Sequence, residues 1–295
     1  MAEVVSNLVP DFCNYSDTAD TYAELRKCLF ADVLNEHCAG KDVIEVGAGT
    51  GNNVLAIARH AKSVRALEYN KAMLAHCERR CQEEGFDNVL CTHGCAQQEL
   101  PKLASDPATH ADVAIIVQVL HHLTVVNAKE PSQNTDRAHV LHRIREIFKA
   151  LFDMIRPGGE VLINTVGHEQ ARDCFWFKNL LPVVLARYIE RFPKVEELQD
   201  LLKDVGFVDV VVTPHTRTLY DIPLKEQFSI FKSKPMKWAK TDSFFEDASE
   251  EEILELCEKM TSWTAEEEQA YILQHTAKQQ EMGVTSFISG RKPLA

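Results

Sequence analysis

Apolar positions along this chain switch repeatedly between two spacings. Tyr22, Leu25, Leu29, Phe30 and Val33 recur at helical intervals, which predicts an amphipathic helix over residues 19–38. Gly40-Lys41 stops it, and residues 43–46 follow as an apolar run of strand length. The alternation then repeats. A helix is expected over 52–61, a strand over 64–68, a helix over 71–84 ending at Gly85, and a short strand over 89–92. Residues 113–117 are apolar at every position, as a parallel strand covered on both faces requires. The polar stretch 128–136, with Pro131, reads as a loop. A long helix covers 137–155, Arg156-Pro157-Gly158-Gly159 turns the chain, and 160–165 is the next strand.

Strands alternating with helices imply an α/β protein with a doubly wound, mostly parallel sheet. Beyond residue 166 the pattern loosens. Residues 170–190 are helical and rich in large apolar groups, 194–204 form an amphipathic helix ending at Gly206, and 208–213 are a strand. Residues 214–248, with Pro214, Pro223 and Pro235, read as a lid-like excursion. Residues 249–280 are acidic and helical, opened by Ser249 three residues before Glu252, a capping pattern. Residues 285–290 are a last strand. The expected organisation is one domain, 1–295, with helical cap insertions over about 168–193 and 214–280.

The net charge of −12 and the lack of any basic run oppose a nucleic-acid backbone as partner, since that binding needs lysine and arginine against phosphate. A neutral or cationic small molecule fits better. The nine cysteines are odd in number and scattered, and no apolar run suggests a secretion signal or a membrane span. A cytoplasmic protein with reduced thiols is expected.

The sharpest chemical signal is Glu45-Val46-Gly47-Ala48-Gly49-Thr50-Gly51 between the first strand and its helix. Alternate glycines weaken both helix and strand, and make sense where backbone turns sharply beside a ligand. The carboxylate in front suits a cationic ligand and is badly placed for a pyrophosphate. The spacing also differs from the Gly-x-Gly-x-x-Gly of nicotinamide enzymes. Glu68 closes the second strand, beside this turn in an open parallel sheet, where an acid can accept both hydroxyls of a ribose.

With these features the chain resembles the seven-stranded, Rossmann-like class I S-adenosylmethionine-dependent methyltransferases, in their small-molecule branch. The glycine segment resembles that family's first motif, and Leu67-Glu68-Tyr69-Asn70 its second. Residues 117–123, the turn 156–159 and the stretch 192–207 resemble its later segments. Residues 22–26 are similar to the segment that covers the cofactor. The resemblance implies seven strands, the last antiparallel beside the fifth, a helical acceptor-side cap, and S-adenosyl-L-methionine as cofactor. It assigns Glu45 and the backbone of Gly47, Ala48, Gly49 and Gly51 to the methionine part, Glu68 to the ribose and Tyr69 to the adenine. Gln118 and Val119 would line the sulfonium, and Tyr22 and Arg26 would close over the cofactor. One departure stands out. The family commonly has an acid after the third strand for the adenine amino group, and here the sequence is His93-Gly94-Cys95-Ala96-Gln97-Gln98. Cys95, Ala96 or Gln97 would take that contact.

His121-His122 follows the fourth strand, where an acceptor proton could be taken near neutral pH. The competing reading is that one of the pair packs or caps. The C-x3-C pairs Cys77/Cys81 and Cys91/Cys95 do not match usual zinc spacing, so no metal is expected. Most aromatics of residues 175–238 are expected to pack, and some to line an acceptor pocket or cage a cationic amine. The expected reaction is methyl transfer to a small metabolite. The alternatives are a protein or other macromolecular acceptor, trivalent arsenic, and a non-catalytic binder. An Asn/Asp-Pro-Pro-Tyr/Phe motif, which would favour base methylation, does not occur at Gln118-Val119-Leu120-His121.

Overall fold

A computed structural model describes residues 28, 30–123, 137–190, 192–220 and 222–294. The expected loop 128–136 and most of the N-terminal helix, with Tyr22 and Arg26, lie outside them. The strands are β1 (Asp42–Val46), β2 (Ser63–Glu68), β3 (Val89–His93), β4 (Ala111–Val117), β5 (Ile155–Thr165), β6 (Val208–His215) and β7 (Thr285–Arg291). They form one seven-stranded sheet in the order β3-β2-β1-β4-β5-β7-β6. β7 runs antiparallel to both β5 and β6, and the other pairings are parallel. The strand order reverses between β1 and β4. Ligands of such sheets bind beyond the carboxyl ends of the strands at that switch point, here at Gly47 and Gln118.

In the first half the helices are α1 (Ala31–Cys38), α2 (Asn52–Ala58), α3 (Lys71–Glu83), α4 (Ala96–Ala104), α5 (Leu120–Leu123) and α6 (Arg137–Met154). Between β5 and β6 lie α7 (His168–Asp173), α8 (Trp176–Leu180), α9 (Pro182–Ile189) and α10 (Val195–Val205). Between β6 and β7 lie α11 (Leu224–Ser233), α12 (Pro235–Ala239), a 3-10 turn (Ser243–Asp247), α13 (Glu250–Thr261) and α14 (Ala265–Met282). Strand residues alternate between two faces. Val43, Ile115 and Leu162 meet α1, α2 and the aromatic helices, while Ile44, Ile116 and Ile163 meet α4, α6 and α10.

Three local expectations change. Helix α4 is an addition, because Pro101 in its interior argues against a helix. Leu100 and Ala96 are buried against the sheet, and that packing overrides the proline cost. β5 begins at Ile155, and residues 156–159 form a bulge within it, since Ile155 pairs with Ala111 and Glu160 with Val113. The helical run 170–190 is three short helices, broken where Pro182 opens the third.

Candidate active site

The glycine turn is tied to its neighbour strand by its own backbone. The amides of Gly47 and Ala48 both donate to the Leu67 carbonyl, at 2.8 and 3.1 Å. Gly47 has φ +80° and Gly51 φ +87°, the left-handed region that glycine enters at low cost. A Cβ at Gly47 would lie 2.4 Å from Val119, and one at Gly51 2.7 Å from the Cys77 sulfur. Two of the three glycines are therefore demanded by internal packing as well as by the turn. Arg80 of α3 braces the outside, donating to the Thr50 carbonyl at 2.9 Å and to Asn52 Oδ1 at 2.6 Å.

Glu45 shares the face of Val43, and its side chain is fully buried. Oε1 accepts from Asn53 Nδ2 at 2.8 Å. Oε2 is buried with no hydrogen-bond partner. Burial, only partly offset by Asn53 and aided by the negative charge of Glu68, pushes the carboxyl up to about 8, because a low-dielectric surrounding disfavours the charged form.

Glu68, at the end of β2, joins the two loops. Oε2 accepts from the Gly49 amide at 2.9 Å and Oε1 from the Asn70 amide at 2.8 Å. Each carboxylate oxygen has two acceptor positions, so this role is compatible with holding hydroxyls. Asn70 caps α3 through the amides of Ala72 and Met73. Tyr69 is exposed and stacks on His93, with centroids 6.4 Å apart.

After β3, Cys95 is the N-cap of α4. Its thiol donates to Gln97 Oε1 at 2.8 Å, and Gln97 Nε2 donates to the Leu123 carbonyl at 3.0 Å. The Cys95 and Gln97 side chains thus tie α4 to the end of α5. Ala96 is the first residue of α4, where the N–H lacks an intrahelical partner.

Gln118 leaves β4 with φ +55°, and Val119 lies over Gly47. His121 and His122 follow on α5, and their rings are 4.1 Å apart. His121 is buried, stacked on Phe192 at 4.6 Å, with Nε2 3.2 Å from Ser243 Oγ. Its ring is built into the helical layer. His122 is half-buried.

The Cys91/Cys95 pair is split, while Cys77 and Cys81 stay in hydrogen-bond contact. Cys77 and Cys91 approach to 3.9 Å between sulfurs behind Gly51, while Cys95 caps α4. Hydrogen bonding among the thiols, Cys81 foremost as Cys77's partner, pushes Cys77 up and holds Cys81 down. Among the described residues no group of three or more histidine, cysteine or acidic side chains is arranged to hold a metal ion.

The aromatic residues over the carboxyl side pack on one another. Trp176, Phe177, Phe228, Phe231, Trp238 and Phe244 are all buried. The cage for a cation exists, and the chain's own Lys178 fills it. Its ammonium lies 4.0 Å from the Phe175 ring centre and 4.4 Å from that of Tyr188. Sequence reasoning missed Lys178, Arg80, Asn53, Asn164 and Ser243, because their partners are distant in the chain or unremarkable in type.

Comparison with known proteins follows this geometry. Residues 43–159 match the model of a methyltransferase domain. A Mycolicibacterium smegmatis protein named probable S-adenosylmethionine-dependent methyltransferase is 30% identical over 177 residues, covering 59% of this chain and 54% of its own. Residues 43–159 thus form a methyltransferase domain, and the chain is similar to S-adenosylmethionine-dependent methyltransferases. A Geobacillus stearothermophilus demethylmenaquinone methyltransferase is 26% identical over 192 residues, 60% of this chain and 75% of its own. In fold, the chain is similar to Haemonchus contortus phosphoethanolamine N-methyltransferase 2, solved with S-adenosyl-L-methionine. The TM-score is 0.57 at 17% identity, over 97% of this chain and 60% of that one. The chain thus spans only about half the length of the Mycolicibacterium methyltransferase it matches. No helix among the described residues is long and apolar enough to cross a membrane.

Proposed function

We propose that this chain transfers a methyl group from S-adenosylmethionine to a small-molecule acceptor, and that the helices over 168–193 and 214–280 form the acceptor-side cap. The observation that carries the reading is Glu45. A fully buried carboxylate oxygen without a partner, beside a glycine turn, is costly by itself. It fits a ligand that brings an ammonium group, as the methionine part of the cofactor does. Glu45 would hold that ammonium, Glu68 the ribose hydroxyls, and Tyr69 a face of the adenine. The backbone of Ala96, with Cys95 and Gln97 behind it, would meet the adenine edge.

When bound, the cofactor supplies a methyl group already activated on a sulfonium. The chain's task is then placement and exclusion of water, and placement contributes much of the rate in such a displacement. Val119 closes the turn over Gly47, and Gln118 marks the end of β4 where the acceptor arrives. We assign His121 to packing and leave His122 as the histidine able to take a proton. The relatives' quinone substrates favour a small, largely apolar acceptor over a macromolecule, and the acidic charge favours the same.

Calorimetry tests the reading. S-adenosylhomocysteine should bind the full chain, and Glu68→Ala should weaken binding at least about tenfold, as expected for losing hydrogen bonds to a charged group. Absence of binding at high micromolar ligand would overturn it.

A further inference from the structure

Gln118 takes a left-handed backbone conformation that side chains other than glycine seldom adopt. Two hydrogen bonds hold it there, both to Asn164 of β5. The Gln118 amide donates to the Asn164 carbonyl at 2.9 Å, and Gln118 Nε2 donates to Asn164 Oδ1 at 2.6 Å. Asn164 Nδ2 donates onward to Thr285 Oγ1 of β7 at 3.0 Å. Asn164 and Thr285 are both fully buried. A one-way chain of donors therefore runs from the end of β4 through β5 into β7. It turns the nitrogen of the Gln118 amide inward. The amide oxygen, at the other corner of the same planar group, is directed away from Asn164. Gln118 is half-buried, and its neighbour Val119 packs on Gly47. Gln118 therefore sits at the junction of the glycine turn with the ends of β4 and β5.

We infer that Gln118 Oε1 receives the hydrogen of the acceptor's attacking N–H or O–H group, with Asn164 and Thr285 as positioning residues. This rests on the methyltransferase reading above and narrows it, since an amine or a hydroxyl carries such a hydrogen and a thioether does not. An amide oxygen is too weak a base to take the proton. It aims the lone pair of the attacking atom along the line of displacement. The new bond joins that atom to the methyl carbon, the carbon–sulfur bond breaks with its electron pair left on sulfur, and the proton passes to water.

The test needs no known acceptor. Calorimetry on the full chain compares S-adenosylhomocysteine with sinefungin, whose amine projects where the transferred methyl would lie. The intact protein should bind sinefungin about tenfold more tightly or better, the scale of a hydrogen bond to a charged group. Gln118→Met should abolish that preference. Asn164→Leu should also abolish it. Asn164→Asp, which can still accept from Nε2, should keep it, and this rescue separates positioning from a general loss of folding. An unchanged or increased sinefungin preference in Gln118→Met overturns the inference. Failure of the intact protein to bind S-adenosylhomocysteine instead overturns the methyltransferase reading beneath it.

Discussion

The donor side and the helical layer above the other half of the sheet are held by different means. On the donor side, backbone amides and a few carboxylates fix the turn: Gly47 and Ala48 to Leu67, and Gly49 to Glu68. In the layer, buried rings do the work, with Trp176 edge-on to Phe228 and Phe231 at 5.0 and 5.2 Å. Donor-side geometry follows from short spacings in the chain. The layer joins segments 168–189 and 224–282 across β6, and its fit depends on volume. The family model matches only residues 43–159, which is the first construction and not the second.

The largest expected effect tests whether the two are separable. Trp176→Ala removes a fully buried ring whose Nε1 donates to Gln227 Oε1 at 3.0 Å. It should cost about 3–5 kcal/mol in urea unfolding. If the donor side stands apart, S-adenosylhomocysteine affinity of the folded fraction stays within about twofold, well under the tenfold that 1.4 kcal/mol represents. A parallel loss of affinity would join the two regions into one unit.

The glycines supply a sharper test inside the donor side. Gly47→Ala brings a methyl group into Val119, and the cost should be roughly 3 kcal/mol from overpacking and left-handed strain together. At Gly49, φ is +55° but the nearest atom to a Cβ is Met73 Cε at 3.7 Å. Gly49→Ala should therefore cost only about 1–2 kcal/mol, from strain alone. Equal losses in thermal unfolding would mean that packing against Val119 does not decide the requirement at Gly47.

This contrast explains what could be read from the sequence. The alternation of strands and helices and the placing of Glu45 and Glu68 at neighbouring strand ends follow from period and turn chemistry, while the antiparallel last strand and the place of Gln118 come from the family resemblance. The rest depends on partners far apart in the chain. His121 reads as a candidate base from its position after β4, yet its ring meets Phe192 and Ser243, 71 and 122 residues away. Lys178 is a buried cation whose rings Tyr188 and Phe244 come from other elements of the chain. Helix α4 is hidden by Pro101, since local propensity opposes what burial of Leu100 enforces.

Glu45 should set the pH behaviour of the donor side if it holds the ligand ammonium as proposed. Its folded pKa lies above the usual carboxylate value. Its stabilising contribution is therefore complete below the unfolded value and is lost as pH rises through about 8. Pairing with a ligand ammonium requires the ionised form. S-adenosylhomocysteine affinity should thus rise between pH 6 and about 8 by up to roughly tenfold per unit, with proton release measurable by calorimetry in two buffers. Glu45→Gln should bind more weakly and flatten that rise. The same rise persisting in Glu45→Gln would assign it to another group.

A smaller effect is expected at Arg80, whose guanidinium spans Thr50 and Asn52 from outside the turn. Arg80→Met keeps most of the stem and removes two hydrogen bonds, so a loss of about 1–2 kcal/mol is expected in chemical unfolding. Weaker S-adenosylhomocysteine binding should accompany it if the brace shapes the turn. Unchanged binding would show that the amides of Gly47 and Ala48 suffice.

The smallest effect belongs to His121, where the two regions touch. Phenylalanine there keeps a flat ring against Phe192 and gives up the contact with Ser243. His121→Phe should change stability by no more than about 1 kcal/mol, because one neutral hydrogen bond contributes little net. It should also leave S-adenosylhomocysteine affinity unchanged. Once an acceptor is found, its rate should keep the same pH profile, since a ring that only packs cannot shape one. A rate falling by about a hundredfold or more, the usual scale of general base catalysis, with stability intact would return His121 to the chemistry. The boundary between amide-built and ring-built halves would then run through the reacting atoms.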